Sequence, residues 1–153
     1  MAELTFKEGY RTHGFALEIA GVRCPVTKVT GLSDGAMDVI NQADGGSTFE
    51  RKIASGIVKF DDLTVERIVD GSPFDLLFQE WFAEMFLLNG PSRGSSIRRN
   101  GAVLKLENGL EVMRFLFFEG WVVSSKFTDL EAGSANLFKQ TVVIAHSGLQ
   151  RVM

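Results

Sequence analysis

The chain has one cysteine, three prolines and two histidines among 153 residues. A lone thiol, Cys24, cannot close an intrachain disulfide, so the core alone must hold the fold, and synthesis in a reducing compartment is the expectation. His13, Cys24 and His146 are scattered, without the paired spacing that builds zinc sites. Neither G-x-x-x-x-G-K-[ST] nor G-x-G-x-x-G occurs to cradle a phosphate, and no metal or cofactor is expected. Long apolar runs are missing as well. Glu80 and Glu84 break the best candidate short of the roughly 20 residues that span a bilayer, which speaks against membrane embedding. Residues 1–10 lack the apolar core of a signal peptide, so synthesis in the cytoplasm is expected. A basic surplus is also absent: the net charge is −3, and the pairs Arg51-Lys52 and Arg98-Arg99 are too short to make a general nucleic-acid surface.

What remains is an ordinary globular composition, 45% hydrophobic and 23% charged, of a length that fits one domain over residues 1–153. Asn108-Gly109 joins two strand-like stretches and is a strong hairpin signal, because both residues tolerate the positive φ of a type I′ turn. Counting back from it puts Lys105, Glu107, Val112 and Arg114 on one face and Leu104, Leu106, Met113 and Phe115 on the other. Val112 to Phe118 is apolar on both faces apart from Arg114, which predicts burial on both sides or cover by a partner subunit. Further strands are expected at Phe15 to Ile19, Val22 to Val29, Ala36 to Asn41, Ile57 to Val69, Trp121 to Thr128 and Leu137 to Ala145, with a bulge or bend at Asp61-Asp62.

One helix is expected after Ser72 as N-cap, with Pro73 and Asp75 in its first turn and Asn89-Gly90-Pro91 as its stop. Its apolar stripe, Phe74, Leu77, Phe78, Trp81, Phe82 and Met85, continues to Leu88 and suits packing on a sheet. Asn41 to Gly56 turns to Asp, Gly, Ser and charge, and reads as a long loop or a hairpin extension. The resulting class is mainly β: an antiparallel barrel or sandwich with one flanking helix.

Arg98-Arg99-Asn100-Gly101, the hairpin, Phe117 with Trp121, Asn136 and the closing Ala145-His146-Ser147-Gly148-Leu149 resemble the C-terminal half of the contractile phage tail tube proteins, the T4-like tail tube family. Gly31-Leu32-Ser33, Asp38-Val39-Ile40 before Gly45-Gly46, Arg51-Lys52, and Lys59-Phe60 followed by residues 63–67 resemble its N-terminal half in the same order. That family includes the tubes of phage-tail-like contractile injection systems. The chain departs from it at Ile53-Ala54-Ser55-Gly56, which lacks a proline, and at Ser147, where an acid is common.

The resemblance implies a structural protein of a virion or phage-tail-like particle made in the bacterial cytoplasm. It implies hexameric rings stacked into a hollow tube, with sheath, baseplate hub or spike and tube-terminator proteins as partners and DNA or protein as lumen cargo. The segment with Asp44, Gly45, Gly46, Phe49, Arg51, Lys52 and Ile53 is the candidate to reach a neighbouring protomer or the next ring. Where the family's inner barrel forms, strand alternation offers Asp38, Glu66, Lys126, Thr128, Lys139 and Thr141 to the lumen. Two other readings compete. Gly31-Leu32-Ser33-Asp34-Gly35 matches the nucleophile elbow of a small serine hydrolase, although that elbow needs a helix after it and residues 36–40 look like a strand. A free-standing β-barrel for a small apolar ligand is the other.

Overall fold

In the computed structural model, Asn108 and Gly109 have φ of 53° and 79°, the left-handed backbone of a type I′ turn. The structure describes residues 9–43, 45–46, 50–85, 98–133 and 135–152, and within the helix the side chains of Phe82, Glu84 and Met85 lie outside the description. In chain order the elements are β1 (Phe15–Ile19), β2 (Val22–Cys24), β3 (Lys28–Thr30), β4 (Ala36–Ala43), β5 (Glu50–Lys59), β6 (Leu63–Ile68), α1 (Phe74–Met85), β7 (Arg99–Glu107), β8 (Leu110–Phe127), β9 (Lys139–Ala145) and β10 (Gly148–Val152). All strand pairs are antiparallel.

The main sheet runs β2-β1-β7-β8-β9-β6-β3, with β10 pairing β8 beside this path. Its two end strands, β2 and β3, are joined by Pro25, Val26 and Thr27 alone. The four steps from Cys24 to Lys28 span at most about 14 Å. The sheet therefore curls until its ends nearly meet, which is the barrel-like class the composition suggests. Leu17, Ile19, Cys24, Val103, Phe117 and Leu149 from one part of the sheet face Leu63, Val65, Val122, Val142 and Ile144 from the other, and all are buried. Phe78 and Trp81 of α1 complete this core, with Phe74 and Leu77 partly buried against it.

The helix start is anchored in the interior. Ser72 O accepts the first helical bond from Asp75 N at 3.0 Å, as an N-cap residue's carbonyl does. The Asp75 carboxylate accepts from Gly71 N at 2.7 Å and pairs with the guanidinium of buried Arg67, also at 2.7 Å. Arg67 donates to Gln140 Oε1 (3.2 Å), and Gln140 Nε2 donates to Ser125 Oγ (2.7 Å), so one polar chain links β6, β9, β8 and α1. The expected stop at Asn89-Gly90-Pro91, and Leu88, lie outside the described residues.

Several boundaries differ from the sequence reading. Val22 to Val29 is two strands at opposite ends of the sheet, because Pro25 cannot donate to a ladder. Ile57 to Val69 breaks at residues 60–62, and the strand before the break begins back at Glu50. The polar stretch from Asn41 is thus largely strand, the hairpin extension of the two readings offered for it. Trp121 to Thr128 is not a separate strand but the end of the 18-residue β8, and β10 is an element the sequence reading does not contain.

The hairpin faces also change. Leu106 pairs with Glu111 but Lys105 with Met113, so Val112 is an extra, bulged residue. Leu104 consequently shares a face with Arg114, and Lys105 with Met113, the reverse of a simple count from the turn. Both faces of β8 are half-buried or better over Val112 to Phe117, and Phe118 is exposed.

Candidate assembly surfaces

β4 and β5 form a two-stranded ribbon apart from the main sheet, and nearly every residue of it is exposed. Met37 pairs with Val58 and Ile40 with Ile53. Beyond a bulge between positions 37 and 39, Val39 pairs with Ala54 and the next residue, Ile40, with Ile53, so apolar pairs lie on opposite faces of the ribbon. Val39 and Ile57 are 55% and 61% exposed. An isolated hairpin with apolar groups on both faces is marginal in water and calls for cover from both sides. Of the residues expected in the reaching segment, Arg51, Lys52 and Ile53 lie on β5 and Gly45-Gly46 in the turn; Asp44 and Phe49 are outside the described residues.

The root of the ribbon is fixed by close packing. A side chain at Gly31 (φ 93°) would collide with the Asp62 carbonyl, and one at Gly35 (φ 107°) would strike the side chains of Val58 and Phe60. Ser33 Oγ accepts from Gly35 N at 3.2 Å, a local turn. The first glycine of the G-x-S-x-G match is therefore demanded by close backbone approach and the second by side-chain packing, and strand β4 follows where a nucleophile elbow requires a helix. His146 Nε2 lies 3.0 Å from Asp61 O, with its ring between Phe60 and Phe117. That histidine clamps the segment joining ribbon to sheet.

A second surface is the polar face of β3, β6, β9 and β8. Lys28 pairs with Glu66, Glu66 with Thr141, and Thr141 with Lys126, which places four polar side chains in one row across the strands. Lys139 is two residues from Thr141 on the same face, and Thr128 Oγ1 accepts from Lys139 N at 3.1 Å at its border. Glu66, Lys126, Lys139 and Thr141 are thus brought together. Asp38 is not: it sits on the ribbon, paired with Lys59 at 2.9 Å. Lys28 and Ser124 share this face and escaped the sequence reading, since only the ladder register reveals them. Phe78 and Trp81 of the helix stripe are fully buried, and Arg99 lies over the Trp81 ring at 5.5 Å.

On the opposite part of the sheet, Arg114 bonds the Glu111 carboxylate at 2.7 and 3.1 Å and Glu18 at 3.1 Å. These bonds hold Glu111 below the usual carboxylate range and raise Arg114, so both stay ionised at neutral pH. Burial pushes the Cys24 thiol up, away from the reactive thiolate. No cluster of metal-ligating side chains occurs among the described residues, and no helix among them is long and apolar enough to cross a membrane.

A search of the curated proteins returned no match. Among solved structures, the chain is similar to one from the tube-terminating cap of the anti-feeding prophage, with TM-score 0.83 and 16% identity, covering 99% of this chain and 96% of that one. It is similar to a chain of the sheath-tube complex of the extracellular contractile injection system PVC, with TM-score 0.76 and 15% identity over 94% and 91% of the two chains. Hcp1 from Flavobacterium johnsoniae has TM-score 0.53 and 16% identity over 90% of this chain and 93% of that one. At these identities the likeness establishes the fold. The family model of the T4-like virus tail tube protein gp19 matches residues 11–150, nearly the whole length. With the curled antiparallel sheet and its packed helix already in place, that match decides the question: the chain belongs to the T4-like virus tail tube protein family.

Proposed function

We propose that the chain is the inner tube subunit of a contractile phage tail or phage-tail-like injection particle, acting as scaffold and conduit without bond chemistry, and that residues 1–153 form one tube domain. The observation that carries this reading is the ribbon with apolar pairs on both faces, which a lone protomer leaves in water. Six protomers close a ring through a repeated heterologous contact, and rings stack into a hollow tube. Sheath, baseplate and terminator proteins are its partners, and protein or DNA passes along the lumen.

The row Lys28, Glu66, Thr141 and Lys126, with Lys139 beside it, is assigned to the lumen. These side chains are polar and of both signs, so the wall stays hydrated and exerts little of the phosphate attraction of a uniformly basic channel. Asp38, on the ribbon, is assigned to subunit contacts instead. In a Cys24→Ser background, Thr141→Cys should react with small thiol reagents in assembled tubes and be shielded from bulky ones. Equal reaction with both would place this face on the outside.

A further inference from the structure

We infer that the loop between β8 and β9 plugs, through Leu130, into an apolar groove beside Leu32 on a second copy of this chain in the next ring. The inference rests on the tube reading above and adds a contact that does not involve the β4–β5 ribbon. Phe127 and Phe138 stack at the base of the loop, 5.5 Å between ring centroids with an interplanar angle of 22°. Beyond them, Leu130 and Leu137 are 84% and 59% exposed. Large apolar side chains gathered in water mark an interaction surface.

The receiving groove is apolar. Phe15, Val29, Leu32, Val103, Met113 and Phe115 line an open space of about 390 Å³, with the exposed Tyr10, Arg11 and Thr12 along one side. Phe15, Val103, Met113 and Phe115 share one face of β1, β7 and β8, so their side chains form a continuous wall. Lys105 contributes its stem to that wall. Its ammonium donates to the carbonyls of His13 (3.0 Å), Gly14 (3.3 Å) and Leu106 (2.6 Å) and pairs with Glu107 at 3.3 Å. Arg11 is therefore the positive charge that an incoming group meets.

Place and charge select the occupant. Leu32 lies two residues past Thr30, which pairs with Thr64 at the Leu63 and Ile144 end of the β6–β9 ladder. Asp34 holds Arg151 at 3.5 Å, and Arg151 pairs with Phe115, which brings the turn after β3 to that wall. The loop lies at the opposite end of the ladder, where Ile68 pairs with Lys139 and Thr128 N donates to Lys139 O. In the proposed tube these strands form the wall, so their two ends face the two neighbouring rings. Copies stacked in one direction then bring the loop of one to the groove of the next, a heterologous contact that does not close and so builds a filament. Residues 128–138 carry Asp129 and Glu131 on either side of Leu130 and no lysine or arginine. Two acids thus flank the apolar plug and meet Arg11 at the groove.

The test uses the full chain. Leu130→Asp, at a position the folded protomer leaves in water, should keep its circular dichroism and its rings and lose tubes under electron microscopy. Arg11→Glu should lower the fraction of rings found in tubes, and adding Asp129→Arg should raise that fraction again. In the Cys24→Ser background, Leu32→Cys with Leu130→Cys should cross-link on oxidation into chains of more than six copies, which a contact within one ring cannot give. Undiminished tubes from Leu130→Asp, loss of rings together with tubes in a folded protein, no recovery on charge reversal, cross-links that stop at six copies, or none in intact tubes would overturn the inference while leaving the tube reading intact. If the unsubstituted chain itself forms neither rings nor tubes, the tube reading fails, and this inference with it.

Discussion

Trp81 is the largest fully buried side chain among the described residues. It is fully buried between α1 and the sheet, so Trp81→Ala removes a large packed ring and should cost about 3–5 kcal/mol, a substantial share of a domain's total stability. Denaturant melts of the two proteins measure it directly; a loss below about 1 kcal/mol would contradict the observed burial. Ser33 is the counter-case. Its hydroxyl closes a two-residue turn to Gly35, and the flanking glycines are required by the approach of Asp62 and Val58. Ser33→Ala should leave assembly unchanged and the chain inert to serine-reactive phosphonates, whereas stoichiometric labelling lost on denaturation would revive a hydrolase.

At the scale of elements, the ribbon is separable from the core, since among the described residues its exposed strands pair only with each other. Removing residues 41–53 and closing the shortened hairpin with Asn-Gly should preserve the far-UV dichroism of the main sheet and abolish assembly. Loss of all structure would mean the ribbon belongs to the core. The same element marks where sequence reading reaches its limit. Asn108-Gly109 and the stripe of α1 were legible because turn chemistry and helical periodicity are local. Asn41 to Gly56 leaves loop and hairpin extension undecided because strand signals depend on alternation against a core, and a ribbon exposed on both faces has no core of its own. Val112 defeated the face count because a bulge of one residue shifts every position beyond it and leaves no mark in composition. β10 was hidden for a similar reason: Gly148-Leu149-Gln150-Arg151-Val152 is short, and only pairing with β8 makes it a strand. Among the polar positions, alternation found Glu66, Lys126, Lys139 and Thr141, but the row joining them exists only in the register.

For the whole molecule, the curled sheet accounts for a stable protomer, and the surfaces it leaves uncovered are those the proposed assembly would cover. Its core is built from both parts of one sheet and a helix, whereas the ribbon and the Phe127–Phe138 cluster remain in solvent at opposite ends of the β6–β9 ladder. A free enzyme or ligand barrel has no use for two such features. A subunit that repeats around a ring and along an axis uses both. The most direct test is electron microscopy of the purified protein over a wide concentration range, paired with light scattering on a sizing column. The account predicts hollow six-membered rings that stack into tubes as concentration rises. A strictly monomeric species at every concentration, with no rings in the images, would contradict it.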